Sequence, residues 1–183
     1  MKFADTVLEL PLVTWPQRAA KLKASPVSAA EAAPLLGALW SGGRLPGRLD
    51  DDALRRFAAR LQFVRVASAS RLIEQDEPGD FMLIVLDGTV SVDLAPGAGP
   101  SARLAEARAG DVLGEMALLD AGPRLSSCTT RSACTLAVLE MDALAALMKD
   151  DAPLAVVVLA ALARKLSLRL RQASSRLSVL LSA

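Results

Sequence analysis

The spacing of apolar residues changes twice along this chain, and those two changes confine its fold. Between residues 63 and 140 the apolar residues come in short runs: Phe63, Val64 and Val66, then Leu72 and Ile73, then 81–86, then Val90 and Val92. Turn-forming residues separate the runs, with Pro78 beside Gly79, Asp87 beside Gly88, and PGAGP at 96–100 as a hairpin loop. Further strands are expected at 103–107, 126–130 and 135–140. Many short strands joined by glycine-rich turns imply a small antiparallel roll or barrel.

Outside that stretch the period is helical. Ser28 followed by Glu31 resembles a capping box opening a helix over 29–40, with Pro34 inside its first turns. Asp50, Asp51 and Asp52 place negative charge where a second helix begins, and Leu54, Phe57, Ala58 and Leu61 follow at helical spacing. The acid run is a cap rather than a metal site. A short helix is expected over 142–148, ended by Asp150, Asp151 and Pro153. Then Leu154, Val158, Leu162, Leu166, Leu170, Ala173, Leu177 and Leu180 recur every three or four residues, with Arg164, Lys165, Arg169, Arg171 and Arg176 between them. That is one long amphipathic helix over 154–181. Its stripe is too long for the roll to cover, so a second copy or a partner protein is expected along it.

The fold expected is therefore α+β, mainly β: an antiparallel, jelly-roll-like β-roll flanked by N-terminal helices and a long C-terminal helix. Residues 1–48, punctuated by Pro11, Pro16, Pro26, Pro34 and Pro46, form an N-terminal helical arm, and 49–183 form the domain. Trp15 and Trp40, the only two tryptophans, are apolar anchors that dock the arm on the domain; the Gly42 and Gly43 pair breaks the chain after Trp40.

Composition removes whole classes of chemistry. The chain has no histidine, so Ser-His-Asp and Cys-His arrangements and any histidine-ligated metal are excluded. With no tyrosine and 3% aromatics, base-stacking platforms are excluded too. Lys plus Arg total 21 against 20 Asp plus Glu, which leaves no global basic field for nucleic acid or an anionic membrane. Hydrophobic residues reach 52%, yet the longest apolar stretch, 154–163, is half the roughly 20 residues a spanning helix needs. Asp5 and Glu9 interrupt what would be the apolar core of an export signal, so a cytoplasmic address is expected. Cys128 and Cys134 are then buried thiols rather than a disulfide. Neither an enzyme nor a resident cofactor or metal is expected.

One segment differs in kind: AGDVLGEMALLDAGPRLSS at 109–127, a loop and short helix inside a β region. Gly114 permits close approach of backbone to a ligand, and 116–119 can form a helical turn whose first amides suit an anion. Glu115 offers carboxylate oxygens to a hydroxyl pair, and Arg124 offers a planar fork to a phosphate. Together these are the acceptors and donors that a cyclic ribose phosphate requires.

At these residues the chain resembles the cyclic nucleotide-binding domain family, whose phosphate-binding cassette reads much like GEMALL followed by PR. The resemblance extends to LIEQDEPGDFMLIVLDGTVSV at 72–92, to AGDVLGE at 109–115 and to the closing helices. It implies an eight-stranded β-roll in which Glu115 binds the ribose 2′-hydroxyl and Arg124 the cyclic phosphate. Amides around Gly114, Met116, Ala117 and Leu125 complete the cradle, with Ser126 beside them, and Arg169 of the last helix caps the base. Asp76 stands where the family usually has glycine, and it must take a left-handed conformation. Leu125 stands where cGMP-selective members carry threonine, which favours cAMP. Regulators of the catabolite-activator type resemble this chain but continue into a helix-turn-helix; the sequence stops at Ala183, so no direct nucleic-acid binding is expected. The function implied is cyclic nucleotide sensing through movement of the last helix. A non-binding scaffold and a cyclic dinucleotide sensor are the alternatives.

Overall fold

The computed structural model describes residues 11–40, 49–95, 99 and 101–181. The Gly42 and Gly43 break, the Trp40 side chain, residues 5 and 9 and most of the 96–100 loop lie outside the described residues.

The arm contains two helices where apolar spacing signals one. The first, α1 (Trp15–Leu22), starts on local chemistry instead: Pro16 sits in its first turn, and the Thr14 amide donates to Gln17 Oε1 at 3.1 Å. Two-residue strand β1 (Ser25–Pro26) leads to α2 (Ala29–Trp40), where the Glu31 amide donates to Ser28 Oγ at 3.2 Å as the capping box requires. Helix α3 (Asp51–Ala58) begins at Asp50, whose carboxylate accepts from the Ala53 amide at 2.7 Å.

The roll follows as β2 (Gln62–Val66), β3 (Arg71–Ile73), β4 (Phe81–Asp87), β5 (Val90–Leu94), β6 (Ala102–Ala107), β7 (Val112–Leu113), helix α4 (Glu115–Asp120), β8 (Ser127–Thr130) and β9 (Cys134–Glu140). Two helices close the chain, α5 (Met141–Asp150) and α6 (Ala152–Leu181). Among the described residues the strands form two sheets, in orders β1-β2-β9-β4-β7 and β3-β8-β5-β6, with every pairing antiparallel. The eight strands β2–β9 make the roll that the sequence implies, and β1 is added to its edge by the arm.

Strand β4 explains why its sequence is a continuous apolar run rather than an alternation. Phe81, Leu83 and Val85 face the interior between the sheets, with Val64, Leu136 and Val138. Met82, Ile84 and Leu86 face the opposite layer, packed on Phe57, Leu144 and Val158 of the helices. Both faces are buried, so every position is apolar. Cys128 and Cys134 are free, buried thiols.

Helix α6 starts at a cap in which Asp151 Oδ1 accepts from the Leu154 amide at 3.3 Å. Its first turns bury Leu154, Ala155, Val158 and Leu162 against the roll. Farther on, Leu170, Leu177, Val179 and Leu180 are exposed, so the stripe outruns the roll as its length implies. No helix among the described residues is long and apolar enough to cross a membrane.

Candidate ligand-binding cassette

At the end of β7 the chain turns sharply at Gly114, whose φ of 75° is left-handed. A Cβ there would lie 2.5 Å from Arg124 Nη1, so the site requires glycine for space as well as for conformation. Helix α4 follows and ends at Ala121, also left-handed at φ 55°. Gly122 and Pro123 then return the chain to Arg124.

Two backbone hydrogen bonds fix Arg124 against the β3–β4 turn. Its amide donates to the Glu77 carbonyl at 3.0 Å, and its carbonyl accepts from the Asp76 amide at 2.8 Å. Asp76 has φ 65°, the left-handed conformation expected where the family carries glycine. The Arg124 side chain is 2% exposed. Its Nη1 donates to the Gly114 carbonyl and its Nη2 to the Phe81 carbonyl, each at 2.7 Å. The guanidinium carbon lies 4.6 Å from the centre of the Phe81 ring, a cation–π contact. Its Nε, fully buried, has no partner. Burial pushes the Arg124 pKa below the ordinary arginine value, with the Glu77 and Asp80 carboxylates opposing the shift. An arginine starts so high that it remains a cation.

Glu115 heads α4 and is 2% exposed. Its carboxylate accepts from Arg169 Nη1, on α6, at 2.5 Å. Arg169 Nη2 donates to the Val112 carbonyl, and one helical turn earlier Lys165 Nζ donates to the Gly110 carbonyl. Two cations of α6 thus clip the 110–115 segment. Half-burial lowers the Lys165 pKa, and Asp111 opposes that shift.

Hydrogen bonds therefore bring together Gly114, Glu115, Arg124 and Arg169. Ala117 is buried beneath α4, Met116 and Leu125 are exposed, and Ser126 is half-buried at the entry to β8. Neighbouring Ser127 is buried, and its Oγ accepts from the Gln75 amide at 3.0 Å. Sequence reasoning singled out Arg169 but not Lys165, although the two stand four residues apart on one face of α6. It also missed Arg18 and Glu77, an ion pair behind the cassette. Among the described residues no cluster of side chains could hold a metal ion.

The antiparallel roll is thus interrupted by a glycine-hinged helix that carries a buried carboxylate, with a buried arginine after it. Residues 63–151 match the family model described as the cyclic nucleotide-binding domain. The chain is 28% identical over 118 residues to the CRP-like cAMP-activated global transcriptional regulator of Mycobacterium tuberculosis, an alignment covering 64% of this chain and 53% of the relative. It thus spans about half the length of the curated relatives it matches. Among solved structures, a cyclic nucleotide-binding domain from Methylobacillus flagellatus is 25% identical with a TM-score of 0.78, over 84% of this chain and 85% of that one. The c-di-GMP responsive global regulator CLP of Xanthomonas campestris is 25% identical with a TM-score of 0.64, over 70% and 63%.

Proposed function

We propose that this chain is a cAMP-sensing regulatory module, not an enzyme, that acts in the cytoplasm. The observation that carries the reading is the pairing of Glu115 and Arg124: a carboxylate and a guanidinium, both 2% exposed, at the two ends of one glycine-hinged cassette. Glu115 accepts from the ribose 2′-hydroxyl, and Arg124, with amides of the Gly114–Ala117 and Leu125–Ser126 stretches, receives the cyclic phosphate. The signal passes to α6. Its Arg169 already occupies the Glu115 carboxylate, so an arriving ribose hydroxyl competes with it, and Arg169 is released to stack on the adenine. The cassette grip on α6 changes, and the exposed face beyond residue 170 is presented to, or withdrawn from, a second copy or a partner protein. The ligand drives this only by binding the rearranged state more tightly.

No direct nucleic-acid contact is proposed for the described residues, because the cations of α6 are interleaved with its apolar stripe rather than gathered on one reading face. The test is calorimetric titration with cAMP, cGMP and cyclic di-GMP. The reading expects cAMP to bind best and Arg124→Ala to remove most of the affinity; an Arg124→Ala protein that binds as well as wild type overturns it. Likeness to the c-di-GMP responsive regulator supports a cyclic dinucleotide as the second ligand to try. The engagement of both Arg124 Nη groups by carbonyls supports the scaffold alternative, for which none of the three ligands raises the melting temperature.

A further inference from the structure

Behind the cassette the arm makes a contact that docking alone does not require. Helix α1 is held by Trp15, 1% exposed, whose ring meets Phe81 edge-on at a centroid distance of 5.3 Å. The Val13 amide, just before α1, donates to the Pro78 carbonyl at 3.0 Å. Yet α1 also buries Arg18, 3% exposed, where an apolar residue would pack without the cost of taking a charge out of water. Arg18 Nη2 pairs with the Glu77 carboxylate, and its Nε is buried without a partner.

Glu77 links the arm to the cassette. Its Oε2 accepts from Arg18 and its Oε1 from the Glu74 amide at 2.9 Å, while its backbone carbonyl accepts from the Arg124 amide. Of the charges that act on Arg124, Glu77 has the largest effect, and Asp80, with one buried oxygen lacking a partner, also contributes. Nevertheless, among the described residues Arg124 forms no ion pair: its terminal nitrogens bond only carbonyls. A carboxylate seated on Arg124 would occupy the same N–H fork that a phosphate uses and cancel the charge that attracts it.

We propose that Arg18 is a positioning residue for the anion site: by holding the Glu77 carboxylate, α1 keeps it off Arg124 and leaves that guanidinium with no carboxylate that a phosphate would have to displace. The inference rests on the reading of Arg124 as the phosphate ligand. It makes the arm a determinant of ligand affinity through charge.

The experiment titrates cAMP into wild type, Arg18→Ala, Glu77→Gln and the double variant, with a melting curve for each. Arg18→Ala frees Glu77 to neutralise Arg124 and weakens binding roughly tenfold. Glu77→Gln removes that anion and tightens binding about two- to threefold. The double variant recovers most of the affinity lost in Arg18→Ala, a rescue that a packing role would not produce. Binding by Arg18→Ala equal to wild type, or a double variant as weak as Arg18→Ala, overturns the inference and leaves the cAMP reading standing. Absence of wild-type binding overturns both. If Arg18→Ala does not fold, Glu77→Gln alone decides, and weaker or unchanged binding there overturns the inference.

Discussion

Arg169 and Glu115, 54 residues apart in sequence, meet at 2.5 Å across the gap between the long C-terminal helix and the cassette. The carboxylate is 2% exposed and the arginine side chain 41%, so one partner is fixed in the roll and the other arrives on an element that leaves it. Removing one partner of such a pair strands the other charge, which is expensive when that charge is buried. Arg169→Ala should therefore loosen α6 where it crosses the cassette. Hydrogen exchange should speed up at least tenfold for α6 amides around residue 169, with little change at 154–162, which stay packed on the roll. Equal protection in the two proteins would show that Lys165 and the apolar contacts hold the helix without the pair.

The same carboxylate yields a test of ligand chemistry. If Glu115 accepts from the ribose 2′-hydroxyl, then 2′-deoxy-cAMP forgoes a hydrogen bond to a buried carboxylate, and the loss should be tenfold or more in affinity. In Glu115→Ala the two nucleotides should bind alike, both weakly, because the hydroxyl has lost its acceptor. A preference for cAMP that persists in Glu115→Ala, measured by competition titration, would place the hydroxyl elsewhere.

What the sequence makes legible follows from the range of each signal. The roll and the cassette are local patterns. Strands announce themselves by short apolar runs between turn residues, and the Gly114, Glu115 and Arg124 spacing lies inside one short segment. Asp76 could be assigned a left-handed conformation from the resemblance, since the family usually has glycine there, and its φ is 65°. Helix α1 was not legible by period, since within eight residues it buries only Trp15 and Arg18, and an arginine is not counted on an apolar face. The Arg18–Glu77 and Lys165–Gly110 contacts join residues more than fifty positions apart, and no local spacing encodes them. Arg169 could be singled out as a cassette neighbour, but its bond to Glu115 is visible only once α6 is laid across the roll.

Two glycines separate what the site needs from what the fold needs. A Cβ on Gly79 would fall 2.6 Å from Arg124 Nη2 and 2.9 Å from its Nε, so Gly79→Ala must displace the guanidinium. A Cβ on Gly88, at φ 93°, would fall 2.5 Å from the Ala133 carbonyl oxygen, so Gly88→Ala strains the β4–β5 turn at a distance from the cassette. Gly79→Ala should weaken cAMP binding by an order of magnitude or more at small cost in stability, because a flexible side chain gives way. Gly88→Ala should cost about 1–3 kcal/mol of stability, since backbone must move, while the folded fraction binds normally. Denaturant unfolding and calorimetry on both variants check the pair; Gly79→Ala binding at wild-type strength would mean that Arg124 is not needed where it now sits.

Cys128, on β8 and 3% exposed, supplies a pH test. Burial pushes its thiol up to about 12 from an ordinary 9.0, with the Arg124 cation opposing. Between those values the unfolded chain has released the thiol proton and the folded chain still holds it. The unfolded state then binds fewer protons, so stability is fully present below pH 9 and falls as pH rises toward 12. Replacement by alanine should remove that part of the decline, at the cost of a small cavity. Chemistry should report the same shift directly. At pH 9 folded Cys128 holds far less thiolate than the half-ionised thiol of the denatured chain, so iodoacetamide should label it only after unfolding. Peptide mass spectrometry distinguishes Cys128 from Cys134, whose thiol is also raised by burial. Rapid labelling of Cys128 in the folded protein would mean that β8 opens to solvent on the timescale of the reaction.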